Sequence, residues 1–148
     1  MIKKAGIAVF RNDELLIIHP TGASWNKPFY SIPKGLVEEN ESLEDAARRE
    51  FFEETGIEIK QKLKGPFTYD YGAGKQFVVY VLHIKEYSEI GLHSAVVDKK
   101  QLQPEEVDWA GFLKIDDVRK KLYYKQLGVL DHFIKENKYI KPYGSEIK

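Results

Sequence analysis

Two apolar runs near the start of the chain, residues 4–10 and 14–19, flank the polar turn Arg11-Asn12-Asp13 and predict a β-hairpin. Residues 20–28 read as a loop between two prolines, and residues 29–32 as a short strand before Pro33. From Ser42 the apolar period becomes helical and holds to Thr55. Ser42 suits the N-cap, Glu44 and Asp45 the first turn, and Gly56 the position just past the end. Residues 57–63 and 67–71 then look extended, and Gly72-Ala73-Gly74 predicts a turn. Residues 76–84 are apolar on both alternating faces, as a central strand covered on both sides requires. Residues 85–103 read as a long surface loop, 107–112 as a strand and 115–122 as a short helix. A final helix over 129–136 would bury Val129, Leu130, Phe133 and Ile134. Strands around one helix, with another at the end, predict a mixed α/β sandwich.

The chain has 148 residues with 23 basic and 23 acidic side chains, which suits one domain with a real core. We expect that domain to span residues 1–142, with 143–148 as a tail. There is no cysteine, so disulfides, thiolate catalysis and Cys-ligated zinc are excluded. No apolar run approaches the roughly 18 residues of a membrane span. A cytoplasmic domain without membrane partners is the default expectation, as monomer or homodimer. Zero net charge and no basic stripe argue against general nucleic-acid binding.

That neutrality conceals an uneven distribution. Residues 35–58 hold nine acids and two bases, a net of −7, which leaves +7 on the other 124 residues. On a helical wheel of about 100° per residue with Glu50 at zero, Glu54 falls at about +40° and Glu53 at about −60°. The same arc carries Leu43, Ala46 and Ala47, with Phe51 at its edge, whereas Glu44, Asp45, Arg48 and Thr55 lie opposite. Three carboxylates thus share the apolar face, where crowding and desolvation would be severe without a compensating cation. Arg49 alone cannot neutralise three. A hard divalent cation can.

These residues also spell a known pattern: Gly35, five residues, Glu41, seven residues, Arg49-Glu50-Phe51, one residue, Glu53-Glu54, one residue, Gly56-Ile57. The chain resembles a Nudix hydrolase, with the gapless 23-residue Nudix box and its seven fixed identities, Phe51 standing in a slot more often aliphatic. The phrases IIHP, SIPKG and PEE are similar to those of a group of predicted NTP pyrophosphohydrolases. The resemblance implies a MutT-like α/β/α sandwich with a mixed central sheet and a loop-helix-loop catalytic motif. It implies Mg²⁺, or Mn²⁺, held by Glu53 and Glu54, with Glu50 as third ligand or base and the Gly35 carbonyl in reach. Arg49 would orient the carboxylates and Glu41 would support them. A further acid would come from the loop before a late strand, and Glu105 is preferred there to Glu106.

Cleaving a phosphoanhydride needs charge neutralisation and an activated water, which this inventory can provide. The expected partner is a small nucleotide, either a nucleoside triphosphate or a diadenosine polyphosphate, with Lys34, Trp25 and Tyr71 as candidate substrate-binding residues. The alternatives are an ADP-ribose or nucleotide-sugar hydrolase, and a non-catalytic nucleotide-sensing domain. Three other signals carry less. Gly72-Ala73-Gly74-Lys75 precedes a strand and so reads as a hairpin turn, not a phosphate loop. The four histidines show no metal-ligand spacing. Phe52, on the charged side of the wheel, suggests packing against the 20–28 loop or the tail, or a dimer contact.

Overall fold

The computed structural model describes residues 1–136, so the end of the expected domain and the 143–148 tail lie outside the described residues. The chain runs β1 (Ile2–Arg11), β2 (Glu14–Pro20), β3 (Lys34–Leu36), α1 (Leu43–Thr55), β4 (Lys64–Gly72), β5 (Lys75–His83), β6 (Val107–Lys114), α2 (Ile115–Lys121) and α3 (Leu127–Glu136). The sheet order is β4-β5-β1-β2-β6, with β3 also paired to β1. The sheet is mixed: β1 and β5 run parallel over nine residue pairs, and the other ladders are antiparallel. Its two faces sort the side chains by parity. Ala5, Ile7 and Val9 of β1 meet Val78, Tyr80 and Leu82 of β5 and α1's Ala46, Ala47 and Phe51 on one face. On the other, Ala8, Phe10, Phe77, Val79 and Val81 meet Val118 of α2 and Val129, Leu130 and Phe133 of α3. Among the described residues no helix is long and apolar enough to cross a membrane.

The hairpin forms only at its tip. β1 and β2 pair at Phe10–Leu15 and Arg11–Glu14, then separate, and the segment leading into the box fills the gap. Lys34–Leu36 pairs with Lys4, Ala5 and Gly6 of β1, while Ser31 makes a single bridge to Ile18 of β2. This corrects the expectation of a strand over 29–32. Its four donors go to four places instead: Phe29 N–H to Lys27 O, Tyr30 N–H to Lys121 O, Ser31 N–H to Ile18 O, and Ile32 N–H to the buried Gln126 side chain. A ladder needs one continuous partner, and this segment has four.

Helix α1 starts and stops for local reasons. Ser42 Oγ accepts the Asp45 N–H at 3.1 Å, and Gly56 takes φ 73° while its N–H bonds Phe52 O. Thr55, expected on the solvent side, is fully buried, and its hydroxyl bridges Phe51 O and the Ile57 N–H. Residues 57–63 form no strand, because Arg48 donates to the carbonyls of Ile59 and Gln61. Their apolar side chains, Ile57, Ile59 and Leu63, still enter the core. Residues 85–103 are more than a surface loop. They contain two 3-10 turns, bury Ile90, Leu92, Val97 and Leu102, and lay Ala95 and Val97 along β6 through Phe112 N–H to Ala95 O and Val97 N–H to Ala110 O. The β4–β5 turn is tight, with Ala73 and Gly74 both at positive φ.

Phe51 is fully buried between the carboxylate positions of α1, at the centre of the first core face. Phe51→Ala should therefore lower unfolding stability by about 3–5 kcal/mol in urea titrations. A loss below about 1 kcal/mol would show that the helix is not anchored by this ring.

Candidate active site

Arg49 organises the carboxylates of the box. Its Nε and Nη2 donate to both oxygens of Glu41 at 2.7 and 2.9 Å, a bidentate fork. Nη1 donates to Glu50 at 2.8 Å and to Glu53 at 3.2 Å, and Nη2 also reaches Leu36 O at 2.9 Å. One guanidinium thus ties the loop before the helix to the helix itself. Glu41, Glu50 and Arg49 are largely covered, whereas the Glu53 side chain is 45% exposed.

Glu54 stands on the other side of the cluster and accepts the Lys34 N–H at 3.1 Å. Burial pushes its carboxyl up to about 7, against the opposing pull of the Lys34 charge and amide, with Glu50 and Glu106 raising it further. Glu50 is raised as well, chiefly by burial, and Arg49 opposes that shift. Crowded acids with raised pKa values are the electrostatic mark of a functional site. Gly35 is required by contact: a Cβ there would run into the Glu50 carboxylate. The box glycine therefore lets the backbone of β3 lie directly against a site acid.

No group of three acids or imidazoles among the described residues is already closed around a single point. The donor set nevertheless fits a hard divalent cation, since Glu50, Glu53, Glu54 and a backbone carbonyl at Gly35 are all oxygen donors. Of the two loop acids, Glu106 is the one whose charge raises the Glu54 carboxyl, as the smallest of the influences on it. Both are exposed.

Lys34 and Tyr71 come together in one cleft of about 220 Å³. Lys4, Lys34, Lys75 and Lys125 line it together with Phe29 and Tyr123, and no acidic side chain does so among the described residues. Burial and the Lys4 charge push Lys34 below the usual lysine range, against the pull of Glu54 and Glu50. The buried Tyr71 hydroxyl has no hydrogen-bond partner among the described residues, and burial raises its pKa. Trp25 is not in this cleft; it stacks on His19 with ring centroids 3.6 Å apart. Sequence reasoning missed Lys4, Lys75 and Lys125. Only the parallel register of β1 and β5, which sets Ile2 beside Lys75, brings the strand starts together.

This fold and box define the Nudix class, and the chain belongs to that family: the family model of the NUDIX domain matches residues 2–133. It is a Nudix hydrolase. An RNA pyrophosphohydrolase of Sulfurovum sp. is 31% identical over 124 residues, covering 72% of this chain and 74% of that protein. An RNA pyrophosphohydrolase of Caulobacter vibrioides is 39% identical over 71 residues, 40% of this chain, and the match spans only 41% of that relative's length. Among solved structures, an Ap4A hydrolase binary complex from C. elegans superposes with a TM-score of 0.63 at 20% identity, covering 92% of this chain and 96% of that one. At that identity the likeness shows the fold.

Arg49 holds the Glu41 carboxyl down to about 2, with the Glu38 N–H adding to the shift. Because the folded value lies below the ordinary 4.5, Glu41 stabilises the protein fully above 4.5, and the contribution disappears as pH falls toward 2. The gap in urea midpoint between wild type and Glu41→Gln should be full at neutral pH and narrow through that window. A gap independent of pH would mean that the charge of Glu41 contributes nothing to stability.

Proposed function

We propose that this Nudix hydrolase is a Mg²⁺-dependent pyrophosphohydrolase that cleaves a phosphoanhydride bond in a nucleoside polyphosphate, a nucleoside triphosphate or a diadenosine polyphosphate. The observation that carries the reading is the lysine-lined cleft joined to the box carboxylates through Lys34. Four lysines, with no acid beside them among the described residues, complement a chain of phosphates, and Phe29, Tyr71 and Tyr123 offer aromatic faces for a base. Glu50, Glu53, Glu54 and Glu106 would hold the cation, with Mn²⁺ able to replace Mg²⁺. The chemistry such a cation supplies is charge neutralisation on phosphoryl oxygens and a more acidic water. Arg49 keeps Glu50 and Glu53 oriented, and Lys34 places a positive charge where the phosphate chain would enter.

A second reading, hydrolysis of the 5′-triphosphate end of an RNA, is favoured by the Sulfurovum relative's name and coverage. The shared chemistry is the terminal polyphosphate, so one panel separates the two. The products are separated by anion-exchange chromatography after incubation with GTP, diadenosine tetraphosphate, 5′-triphosphorylated RNA and ADP-ribose, each with Mg²⁺ and with chelator. GTP and the RNA give phosphate or pyrophosphate, diadenosine tetraphosphate gives mononucleotides, and ADP-ribose gives AMP and ribose 5-phosphate. Turnover of the first two, lost with chelator, is expected; turnover of the RNA alone selects the second reading. Hydrolysis of ADP-ribose alone, or of nothing, overturns both.

Glu53→Gln should lower turnover by about 100-fold while leaving the urea midpoint unchanged or slightly raised, since it removes a candidate ligand charge and relieves crowding. An unaltered rate at saturating Mg²⁺ would take Glu53 out of the site.

A further inference from the structure

His19, near the end of β2, is fully buried, and its Nδ1 lies 2.6 Å from Asp108 Oδ1 on β6. The indole of Trp25 lies flat on the imidazole, within 3° of parallel, and Tyr30 meets the ring edge-on at 4.9 Å. Nε2 is buried with no hydrogen-bond partner among the described residues. A buried, half-satisfied imidazole is costly, and an apolar side chain would fill the same space at lower cost. What the pair holds in place can offset that cost.

The backbone shows what the pair holds. His19 is opposite Trp109 and Pro20 is opposite Val107, so Asp108 is the extra residue of a bulge in β6. A bulge re-aims a side chain that a regular ladder would send to the other face. Beyond it, Thr21 N–H donates to Glu106 O at 3.0 Å, and Thr21 Oγ1 donates to Pro104 O at 2.6 Å. The loop carrying Glu106 is therefore fastened at the bulge by Asp108 and at its start by Thr21, both against the end of β2.

We propose that the Asp108–His19 pair, pressed by Trp25, is a positioning device that locks the β6 bulge so that Glu106 faces the acids of α1. The inference rests on Glu106 belonging to the cation site. His19 and Asp108 do not touch substrate in this account. They act through Glu106.

The test is a double-mutant cycle read by Mn²⁺ binding alone, with free Mn²⁺ followed by electron paramagnetic resonance and urea midpoints measured in parallel. Glu106→Gln and Asp108→Ala should each weaken Mn²⁺ binding by about 10-fold. The double variant should be no weaker than Glu106→Gln alone to within about twofold, because the second change has nothing left to misplace. Asp108→Ala should also lower the urea midpoint, whereas Glu106→Gln should not. If Glu106→Gln leaves Mn²⁺ affinity unchanged, the assignment of Glu106 to the site fails. If Glu106→Gln weakens binding but Asp108→Ala does not, or the two effects multiply, the positioning role fails. Should Asp108→Ala not fold, Thr21→Val replaces it. That residue is exposed, the substitution removes only its hydroxyl bond, and the same pattern with a smaller amplitude decides.

Discussion

The site depends on one cation shared among several anions. Glu41, Glu50 and Glu53 all lie within hydrogen-bond reach of Arg49, whose planar fork satisfies two of them through different nitrogens. Without it, Glu41 and Glu50 would share a largely covered space without their main counter-charge. The same guanidinium reaches Leu36 O, so it also fixes the strand that enters the box. A lysine could not do this, because a single ammonium cannot present a bidentate face and still reach two further partners. Glu54 lies outside this fork and keeps a raised pKa, chiefly because it is buried.

Helix α1 was legible in its bounds and its carboxylate face, though not at Arg48 and Thr55, because its cap, period and terminating glycine are local signals that agree with one another. The alternation of β1 and β5 was equally plain, as both faces of a central strand must be apolar. What failed was pairing. The 29–32 run has strand-like side chains but divides its backbone among Lys27, Ile18, Lys121 and Gln126, the last three of them not nearby in sequence. The 57–63 run loses its carbonyls to Arg48, a side chain that the wheel assigned to solvent. In both cases a distant group took the hydrogen bonds that a ladder needs.

The site shows the same division. The box acids are spaced along one helix and could be placed on one face before any fold was known. The lysines of the cleft come from β1, β3, β5 and the turn before α3, and only the sheet order assembles them. Trp25 resembled a stacking platform because it is an aromatic in a loop, yet its flat partner is His19. His19 gave no sign of its burial or of Asp108, since a bulge displaced the register by which the two meet. Phe52 remains half-exposed, with no packing role visible among the described residues.

The stretch that lays Ala95 and Val97 beside β6 bears on how the protein behaves in company. A bare outer strand offers its peptide groups to any passing extended chain, and such contacts propagate into aggregates. Here Phe112 N–H and Ala110 O are already engaged by the chain itself, at 2.8 and 2.9 Å. Four buried side chains, Ile90, Leu92, Val97 and Leu102, pin that cover in place, so it does not peel away with ordinary loop motion. The length of this connection is thereby constrained by solubility as well as by stability: trimming it to a short turn would both strip the core beneath α1 of four side chains and leave a self-adhesive flank.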